Sequence, residues 1–220
     1  MIDIPDFNKS FEFENNFYLS SDITRISKVL ARYELFKMVL ELPGEIIDLG
    51  VAKGISLIKF ATFRELFSSP YQKKIIGFDM FGEFPETGYE PDKKHIQRDL
   101  KRFGRESIGQ DQLKSVLQKK GIDRHIELVQ GNIVETVPKY LESHPELRVS
   151  LINLDVDIFE PSVVVLEKLY PRIMRGGVLI LDDYGVYPGE TKAVDEYFRD
   201  MDIEIKKFPF CMTPCYVVKR

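Results

Sequence analysis

Two short segments of the sequence end in closely spaced carboxylates, and these are the first candidates for chemistry. "SLINLDVDIFEPS" places Asp155 and Asp157 after an apolar run, and "VLILDDYG" ends a second run on Asp182 and Asp183. Carboxylates at the ends of buried strands repel one another and cost free energy to desolvate. Mg²⁺ removes that cost, since it binds carboxylate oxygens and water. The four aspartates predict a metal site; the alternative is that Asp182 or Asp183 caps a turn while Asp157 faces solvent.

A glycine-containing loop after an earlier apolar run is a second candidate site. In "DLGVAKG" the two glycines lie at a predicted strand-to-helix turn, where a ligand can approach the backbone and the helix N-terminus. Alanine stands where a dinucleotide-binding loop, G-x-G-x-x-G, has its second glycine. The loop therefore favours a cofactor without a pyrophosphate, although a tight turn alone would also need glycine. The predicted cofactor residues in this region are Asp48, Gly50, Ala52, Gly54 and Ser56.

Polar residues also follow two further apolar runs. Asp79 ends "KIIGFD", where a carboxylate can accept hydrogen bonds from both hydroxyls of a ribose, unless it caps a helix or faces solvent. Gln130, Gly131 and Asn132 end and follow "HIELVQG", where amide groups can pair with an adenine edge. Both positions suit a nucleoside-containing cofactor.

The apolar runs are short, rich in Ile, Leu and Val, and separated by segments with helical spacing of apolar residues. Strands alternating with helices predict an α/β fold: a doubly wound, mostly parallel, seven-stranded Rossmann-like sheet with a C-terminal antiparallel hairpin. In such a sheet ligands bind beyond the carboxyl ends of the strands, so the polar residues above should share one crevice. The predicted strands are 45–50, 74–79, 125–131, 149–157 and 176–183, with a hairpin from 203–210 and 215–220; the predicted helices are 20–42, 56–67, 135–144, 162–174 and 190–201.

Length and composition indicate one domain over residues 1–220, with an N-terminal arm at 1–19 and a lid or insertion at 82–106. A net charge of −4 argues against duplex nucleic acid as a partner. The apolar runs are too short to span a bilayer, and the acidic, aromatic N-terminus is unlike a secretory signal. Cys211 and Cys215 make no disulfide framework, which favours the cytoplasm. The aromatic arm and the long first helix favour a homo-oligomer.

Six segments carry a resemblance to a known family. "IIDLGVAKGISLIKFA", "IIGFDMFGEFPE", "GNIVETVP", "LINLDVDIFEPS", "GGVLILDDYG" and "PGETKAVDEYF" occur in the order seen in the macrocin O-methyltransferase family. The sequence resembles that family from about Ser20 to Phe198, and the two aspartate segments are the most specific part. Members are class I enzymes that use S-adenosylmethionine to methylate sugar hydroxyls of antibiotics and related glycosides.

The resemblance implies roles for the acidic residues. Asp155, Asp182 and Asp183 would bind Mg²⁺, and Asp157 would be the general base that takes the proton of the acceptor hydroxyl. The loop at Gly50 would hold the methionine end of the cofactor. Asp79 would bind the ribose and Asn132 with its neighbours the adenine, while Asp155 would also contact the cofactor.

Other readings of the residues remain open. A catechol-like phenol is an alternative acceptor, because a metal chelates vicinal hydroxyls of either kind. A nicotinamide-dependent oxidoreductase is less favoured because of Ala52, and a binding module without catalysis would leave the aspartate pairs unexplained. His95 in the predicted lid could approach a substrate. The basic run from Lys93 to Arg105 could meet a substrate diphosphate or could be a solvated helical face.

Overall fold

The computed structural model describes residues 2–104 and 106–220, without the side chains of Arg102 and Phe103. Strands and helices alternate along most of the chain, as the sequence predicts. In chain order the elements are α1 (Ser10–Ser20), α2 (Ile23–Met38), β1 (Glu45–Leu49), α3 (Ile55–Phe67), β2 (Ile75–Asp79), α4 (Glu90–Phe103), α5 (Gln110–Lys119), β3 (Ile126–Gln130), α6 (Ile133–Ser143), β4 (Val149–Leu154), α7 (Phe159–Lys168), β5 (Ile173–Leu181), α8 (Pro188–Phe198), β6 (Lys206–Lys207) and β7 (Cys215–Val218).

The strands form one seven-stranded sheet in the order β3-β2-β1-β4-β5-β7-β6. The first five strands in this order, β3, β2, β1, β4 and β5, run parallel. Strand β7 pairs antiparallel with both β5 and β6. The predicted fold class, including the C-terminal antiparallel pair, is therefore confirmed. From β1 the chain adds β2 and β3 on one side, and then β4 and β5 on the other side of β1. The crevice for ligands therefore lies beyond the carboxyl ends of β1 and β4, where the strand order changes direction.

One predicted helix differs from the structure. The apolar spacing predicts a helix over 162–174, but α7 ends at Lys168, and a short 3₁₀ turn at Tyr170–Arg172 leads into β5 at Ile173. Pro171 explains the difference, because proline has no N–H to donate and disfavours helical backbone in the residue before it. The strand predicted over 149–157 likewise stops at Leu154, so the carboxylates lie beyond it.

Alternating side chains of the central strands pack on opposite faces of the sheet. Ile47, Leu49 and Phe78 pack with α6, α7 and α8 on one face. Ile46 and Ile75 pack with α2, α3 and α5 on the other. The five parallel strands are therefore covered on both sides, which fixes their register and the positions of the residues that follow them.

Two buried cations lie at the amino ends of the strands, opposite the crevice. Lys73, 1% exposed, donates from Nζ to the carbonyl of Leu42 and to Ser150 Oγ, 3.1 Å away. Arg64 is fully buried and donates from Nη1 to the carbonyl oxygens of Lys73 and His125, at 3.0 and 3.1 Å. These hydrogen bonds give backbone carbonyl groups around the amino ends of the strands side-chain donors.

The segment predicted as a lid, residues 82–106, contains α4, and two hydrogen bonds join its first residue to the residue that follows it. Ser107 donates its backbone N–H to the carbonyl of Gly82, at 2.9 Å, and its Oγ accepts from the N–H of Gly82 at the same distance. Helix α1, in the predicted N-terminal arm, buries none of its residues. Among the described residues, none of the helices is long and apolar enough to cross a membrane.

Candidate active site

A cavity of about 570 Å³ lies beyond the carboxyl ends of β1 and β4, within the range of small-molecule sites. Six of the predicted cofactor residues line it, so the structure brings most of that set together. They are Gly50, Ala52, Asp79, Gly131, Asn132 and Asp155.

Four predicted cofactor residues lie outside the cavity wall. Asp48 is fully buried, and its carboxylate accepts from Ser56 Oγ and Asn153 Nδ2, each at 2.8 Å. Burial raises the pKa of Asp48 to about 6, against the effect of these two hydrogen bonds. Gly54 caps α3 with φ +83°, and Gln130 is exposed and donates to the carbonyl of Met80. The hydrogen bond between Asp48 and Ser56 joins the two ends of the glycine loop and so stabilises it.

Asp79 joins the glycine loop to the end of β2. Its Oδ2 accepts the backbone N–H of Ala52 at 2.9 Å, and its Oδ1 accepts that of Phe81 at 2.6 Å. Each carboxylate oxygen has a second lone pair, so Asp79 can still accept hydrogen bonds from a ligand on the cavity side. This geometry suits the ribose-binding role that the sequence predicts.

Gly50 brings the glycine loop against the backbone after β4. Its φ is +84°, and a Cβ at this position would lie only 1.7 Å from the carbonyl oxygen of Asp155. Asp155 in turn donates its N–H to the carbonyl of Leu49, at 3.1 Å. Glycine is therefore required here for close approach as well as for its backbone conformation.

Three of the four predicted aspartates converge beside this contact. Asp155, Asp157 and Asp183 each offer a carboxylate oxygen within 4.8 Å of the others, and all three are partly exposed. Burial and the charge of Asp155 raise the pKa of Asp157 to about 7. Burial and neighbouring carboxylates raise the pKa of Asp155 and of Asp183 well above the ordinary range. The three carboxylates therefore keep their protons to a higher pH than ordinary aspartates do, and a bound cation would favour their ionised forms.

Asp182 has a different environment from the other three aspartates. Its Oδ1 accepts from Arg32 Nη2 and its Oδ2 from Lys28 Nζ, both at 2.8 Å. Arg32 Nη2 also lies 3.3 Å from Asp155 Oδ2. Burial alone would raise the pKa of Asp182, but the two cations outweigh burial and lower it. Neither of these cations, both on α2, is predicted from the sequence.

The charges at the site suit one divalent cation. When all four aspartates are ionised, their charge exceeds that of Lys28 and Arg32 by two, and one bound divalent cation would balance that excess. Glu190 is also fully buried nearby, and its Oε1 accepts the N–H of Asp183 at 3.0 Å. Burial and the charge of Asp183 raise the pKa of Glu190 well above its usual range, which favours the neutral acid. The donor set therefore fits Mg²⁺, with Asp155 and Asp183 common to the predicted ligands and the observed cluster.

The lid side of the cavity contributes residues that were not predicted from the sequence. Ile96, Asp99 and Leu100 of α4 line the wall together with Tyr187, which lies just before α8. Tyr187 donates its hydroxyl to Asp99 Oδ2 at 2.5 Å. His95 is not among the lining residues; its ring lies 5.4 Å from that of Tyr187. Ile96 and Leu100 are four residues apart and so lie on one face of the helix, a spacing from which an apolar wall could have been predicted.

The raised pKa of Asp157 predicts how stability depends on pH without a bound cation. The folded state keeps a proton to about pH 7, whereas an unfolded aspartate releases it near pH ~4. The folded state thus binds more protons between these values, so this group's contribution to stability falls as the pH rises. Asp157→Asn should therefore gain in Tm relative to wild type between pH ~5 and ~8 in EDTA.

The control for that series is Asp111→Asn, which removes an exposed aspartate from α5. Its Tm difference from wild type should stay constant over the same pH range. A constant difference for Asp157→Asn as well would show that Asp157 ionises normally in the folded protein.

The chain is similar to proteins that are named as sugar or antibiotic O-methyltransferases. The family model described as macrocin-O-methyltransferase (TylF) matches residues 26–208. A Streptomyces olivaceus protein named 8-demethyl-8-(2,3-dimethoxy-alpha-L-rhamnosyl)-tetracenomycin-C 4'-O-methyltransferase is 26% identical over 148 residues, which cover 66% of this chain and 54% of that protein. The demethyldecarbamoylnovobiocin O-methyltransferase of Streptomyces niveus is 26% identical over 167 residues, covering 73% and 60%.

Solved structures extend the similarity to nearly the whole chain. The crystal structure of the calicheamicin methyltransferase CalS11 has a TM-score of 0.77 and 28% identity, covering 95% of this chain and 85% of that one. The O-methyltransferase NovP shares the fold, with a TM-score of 0.75 at 22% identity over 88% and 80%. The chain spans between 54% and 60% of the length of the curated relatives that it matches.

Proposed function

Because the chain belongs to the macrocin O-methyltransferase family, we propose that it transfers a methyl group from S-adenosylmethionine to a sugar hydroxyl of a glycoside or nucleotide sugar, with Mg²⁺ at the acidic cluster. The observation that carries the proposal is the position of that cluster. Asp155 belongs both to the carboxylate group and to the wall of the cavity that the glycine loop closes. Asp157 also belongs to both, so these two residues join the carboxylate group to the cavity, as a metal-assisted methyl transfer requires.

The cofactor half is assigned to the glycine loop and the neighbouring strand ends. Gly50 and Ala52 would accommodate the methionine end, because their backbone lies on the cavity wall. Asp79 would accept the ribose hydroxyls through its remaining lone pairs. Gly131 and Asn132 also line the cavity and would face the adenine. Asp48 and Ser56 act indirectly, by holding the loop in place.

The metal half is assigned to Asp155 and Asp183, with Asp182 as the third ligand that the sequence predicts. The oxygens of Asp182 already accept from Arg32 and Lys28, which makes Asp157 a rival third ligand. We keep Asp157 as the general base. Its raised pKa of about 7 matches a group that must accept a proton near neutral pH.

Bound S-adenosylmethionine would supply an electrophilic methyl group, and bound Mg²⁺ would lower the pKa of an acceptor hydroxyl. The residues of this chain position the reactants and move the proton. Asp157 would accept the hydroxyl proton, and the lid residues Ile96 and Leu100 would cover the acceptor and exclude water. Positioning of this kind contributes several kcal/mol to a bimolecular reaction.

The names of the relatives favour a sugar acceptor over a phenol. The Streptomyces olivaceus relative is named for methylation of a rhamnosyl compound, and that class of acceptor is carried into the proposal. A catechol-type acceptor is the second candidate, since two vicinal hydroxyls could meet the same cluster. Family membership leaves the nicotinamide alternative without support.

The test is calorimetric titration of the purified protein with S-adenosylmethionine, first with Mg²⁺ and then with EDTA. Saturable binding in both conditions is expected, because the cofactor residues are separate from most of the acidic cluster. Vicinal-diol sugars, nucleotide sugars and catechols are then compared as acceptors, with and without Mg²⁺. Absence of cofactor binding in both conditions would contradict the proposal, and transfer only to catechols would replace the acceptor.

We extend the proposal to a cytoplasmic homo-oligomer that pairs through its N-terminal helix. Phe11, Tyr18 and Leu19 of α1 are 74%, 64% and 86% exposed, an apolar surface that a second copy could cover. Cys211 and Cys215 are free thiols, as a reducing compartment requires. Sedimentation of wild type beside a variant with Phe11 and Leu19 changed to serine tests the pairing, and two monomeric samples would contradict it.

A further inference from the structure

A buried aspartate in the lid contacts the first turns of two other helices. Asp92 belongs to the first turn of α4 and is completely buried. Its Oδ1 accepts the N–H of Gly189 at 2.7 Å, and its Oδ2 accepts the N–H of Phe159 at 3.0 Å. Phe159 begins α7 and Gly189 is the second residue of α8. One carboxylate therefore satisfies two helix N-termini, where negative charge is favourable.

Gly189 makes room for this carboxylate. A Cβ at position 189 would lie 2.0 Å from Asp92 Oδ2 and 2.5 Å from the backbone nitrogen of Phe159. The first turn of α8 can therefore approach both groups only because residue 189 has no side chain. Glycine is otherwise a poor choice inside a helix, which costs about 1 kcal/mol relative to alanine.

Both helices that Asp92 contacts begin just after the aspartate pairs. Phe159 lies two residues beyond Asp157, whose φ of +64° is unusual for a residue with a side chain. The carbonyl of Asp157 accepts the N–H of Glu190, at 3.3 Å, and Glu190 directly follows Gly189. Glu190 also accepts the N–H of Asp183. The backbone around Asp157 is thus fixed on both sides by groups adjacent to the partners of Asp92.

Two further contacts hold the lid to the same helices. Glu160, in the first turn of α7, accepts the N–H of Gly88 and the hydroxyl of Thr87, each at 2.8 Å. Asp99, two turns beyond Asp92 on α4, accepts the hydroxyl of Tyr187. These contacts flank the buried carboxylate, so α4 approaches α7 and α8 in one defined position.

We propose that Asp92 is a positioning residue that couples closure of the lid to the placement of Asp157 and Asp183. Its carboxylate can reach the two helices because Gly189 has no side chain. The inference rests on the proposed methyl transfer, in which Asp157 takes the acceptor proton. When α4 docks, its carboxylate fixes the first turns of α7 and α8, and these turns hold the backbone that carries both aspartates. When α4 is displaced, two helix N-termini lose their acceptor together.

The main test is Asp92→Asn, which keeps the shape of the side chain but can offer an oxygen to only one of the two N–H groups. We expect hydrogen–deuterium exchange at the amides of Phe159 and Gly189 to accelerate about tenfold or more, although both lie far from residue 92 in sequence. The Kd for Mg²⁺ should rise and kcat should fall by about ten- to a hundredfold, with the Kd for S-adenosylmethionine within about twofold of wild type.

A second variant removes the same contact from the other side. Gly189→Ala leaves Asp92 intact but displaces its carboxylate, and should give the same changes in exchange, Kd for Mg²⁺ and kcat. The double variant should be little worse than either single one, because both remove one interaction. Asp111→Asn, which removes an exposed first-turn aspartate from α5, is the control and should behave as wild type.

The outcomes separate this inference from the proposed function. Unchanged exchange at Phe159 and Gly189 in both variants would overturn the contact itself. Faster exchange with unchanged kcat and unchanged Kd for Mg²⁺ would overturn the positioning role. If wild type transfers no methyl group to any acceptor, the proposed function fails, while exchange and Mg²⁺ affinity still decide whether Asp92 positions the aspartates.

Discussion

Asp157→Asn is expected to lower kcat for methyl transfer by about 10²–10⁴-fold, the usual contribution of a general base. The substitution keeps the size of the side chain but removes its capacity to accept the hydroxyl proton. The Kd for S-adenosylmethionine should stay within about twofold of wild type, because most of the cofactor residues lie in the glycine loop and at other strand ends. Single-turnover rates and calorimetry on the same preparation measure the two effects separately.

Titration with Mg²⁺ distinguishes the base from a metal ligand. A base at position 157 predicts that excess Mg²⁺ does not restore the rate of Asp157→Asn and that the Kd for Mg²⁺ rises only slightly. A ligand at this position predicts a large rise in that Kd and recovery of the rate in excess Mg²⁺. Near-normal turnover without added Mg²⁺ would contradict both roles.

Gly50→Ala is expected to be the most damaging substitution in the cofactor loop. The new Cβ would lie 1.7 Å from the carbonyl oxygen of Asp155, in a residue with φ +84°. The backbone conformation alone costs about 1–2 kcal/mol, and a clash in packed surroundings adds about 1–3 kcal/mol. Relief of the clash would move Asp155 away from the cluster, so affinity for S-adenosylmethionine and for Mg²⁺ should fall together.

Gly121→Ala is the matched control for that variant. Gly121 has φ +66°, and an added Cβ there would meet nothing within 4 Å. It therefore reports the conformational cost without the clash. Urea unfolding should show a clearly larger loss of stability for Gly50→Ala than for Gly121→Ala, and equal losses would contradict the close approach of Gly50 to Asp155.

The sequence predicts the sheet well because its evidence is local. Short apolar runs identify the parallel strands, and parallel pairing brings the residues after them to one edge. Leu49 pairs with Leu154, and Leu154 with Leu181, so Gly50, Asp155 and Asp182 follow at the same level. Strand order thus brings the two aspartate pairs together, whereas the cluster of Asp155, Asp157 and Asp183 also depends on the backbone beyond the strands, where Asp157 has φ +64°.

Other parts of the candidate site depend on contacts between distant segments. Arg32 and Lys28 lie on a helix whose apolar spacing predicts a buried face but gives no sign that cations reach the aspartates. Asp92 is similar, because an acid in the first turn of a helix usually faces solvent. Its role depends on Gly189, which is 97 residues away in sequence. Such pairings require the packing of whole helices, which residue spacing does not specify.

The buried cations at the amino ends of the strands have a practical consequence. Lys73 and Arg64 lie at the amino ends of the parallel strands. The aspartates that we assign to the reaction lie beyond the carboxyl ends, a full strand length away. Effects of substitutions at well-separated sites usually add. Substitutions that raise thermal stability can therefore be sought at the amino ends of the strands, around Lys73, Leu42 and Ser150. Substitutions that change the preferred acceptor can be sought separately, at the carboxyl ends.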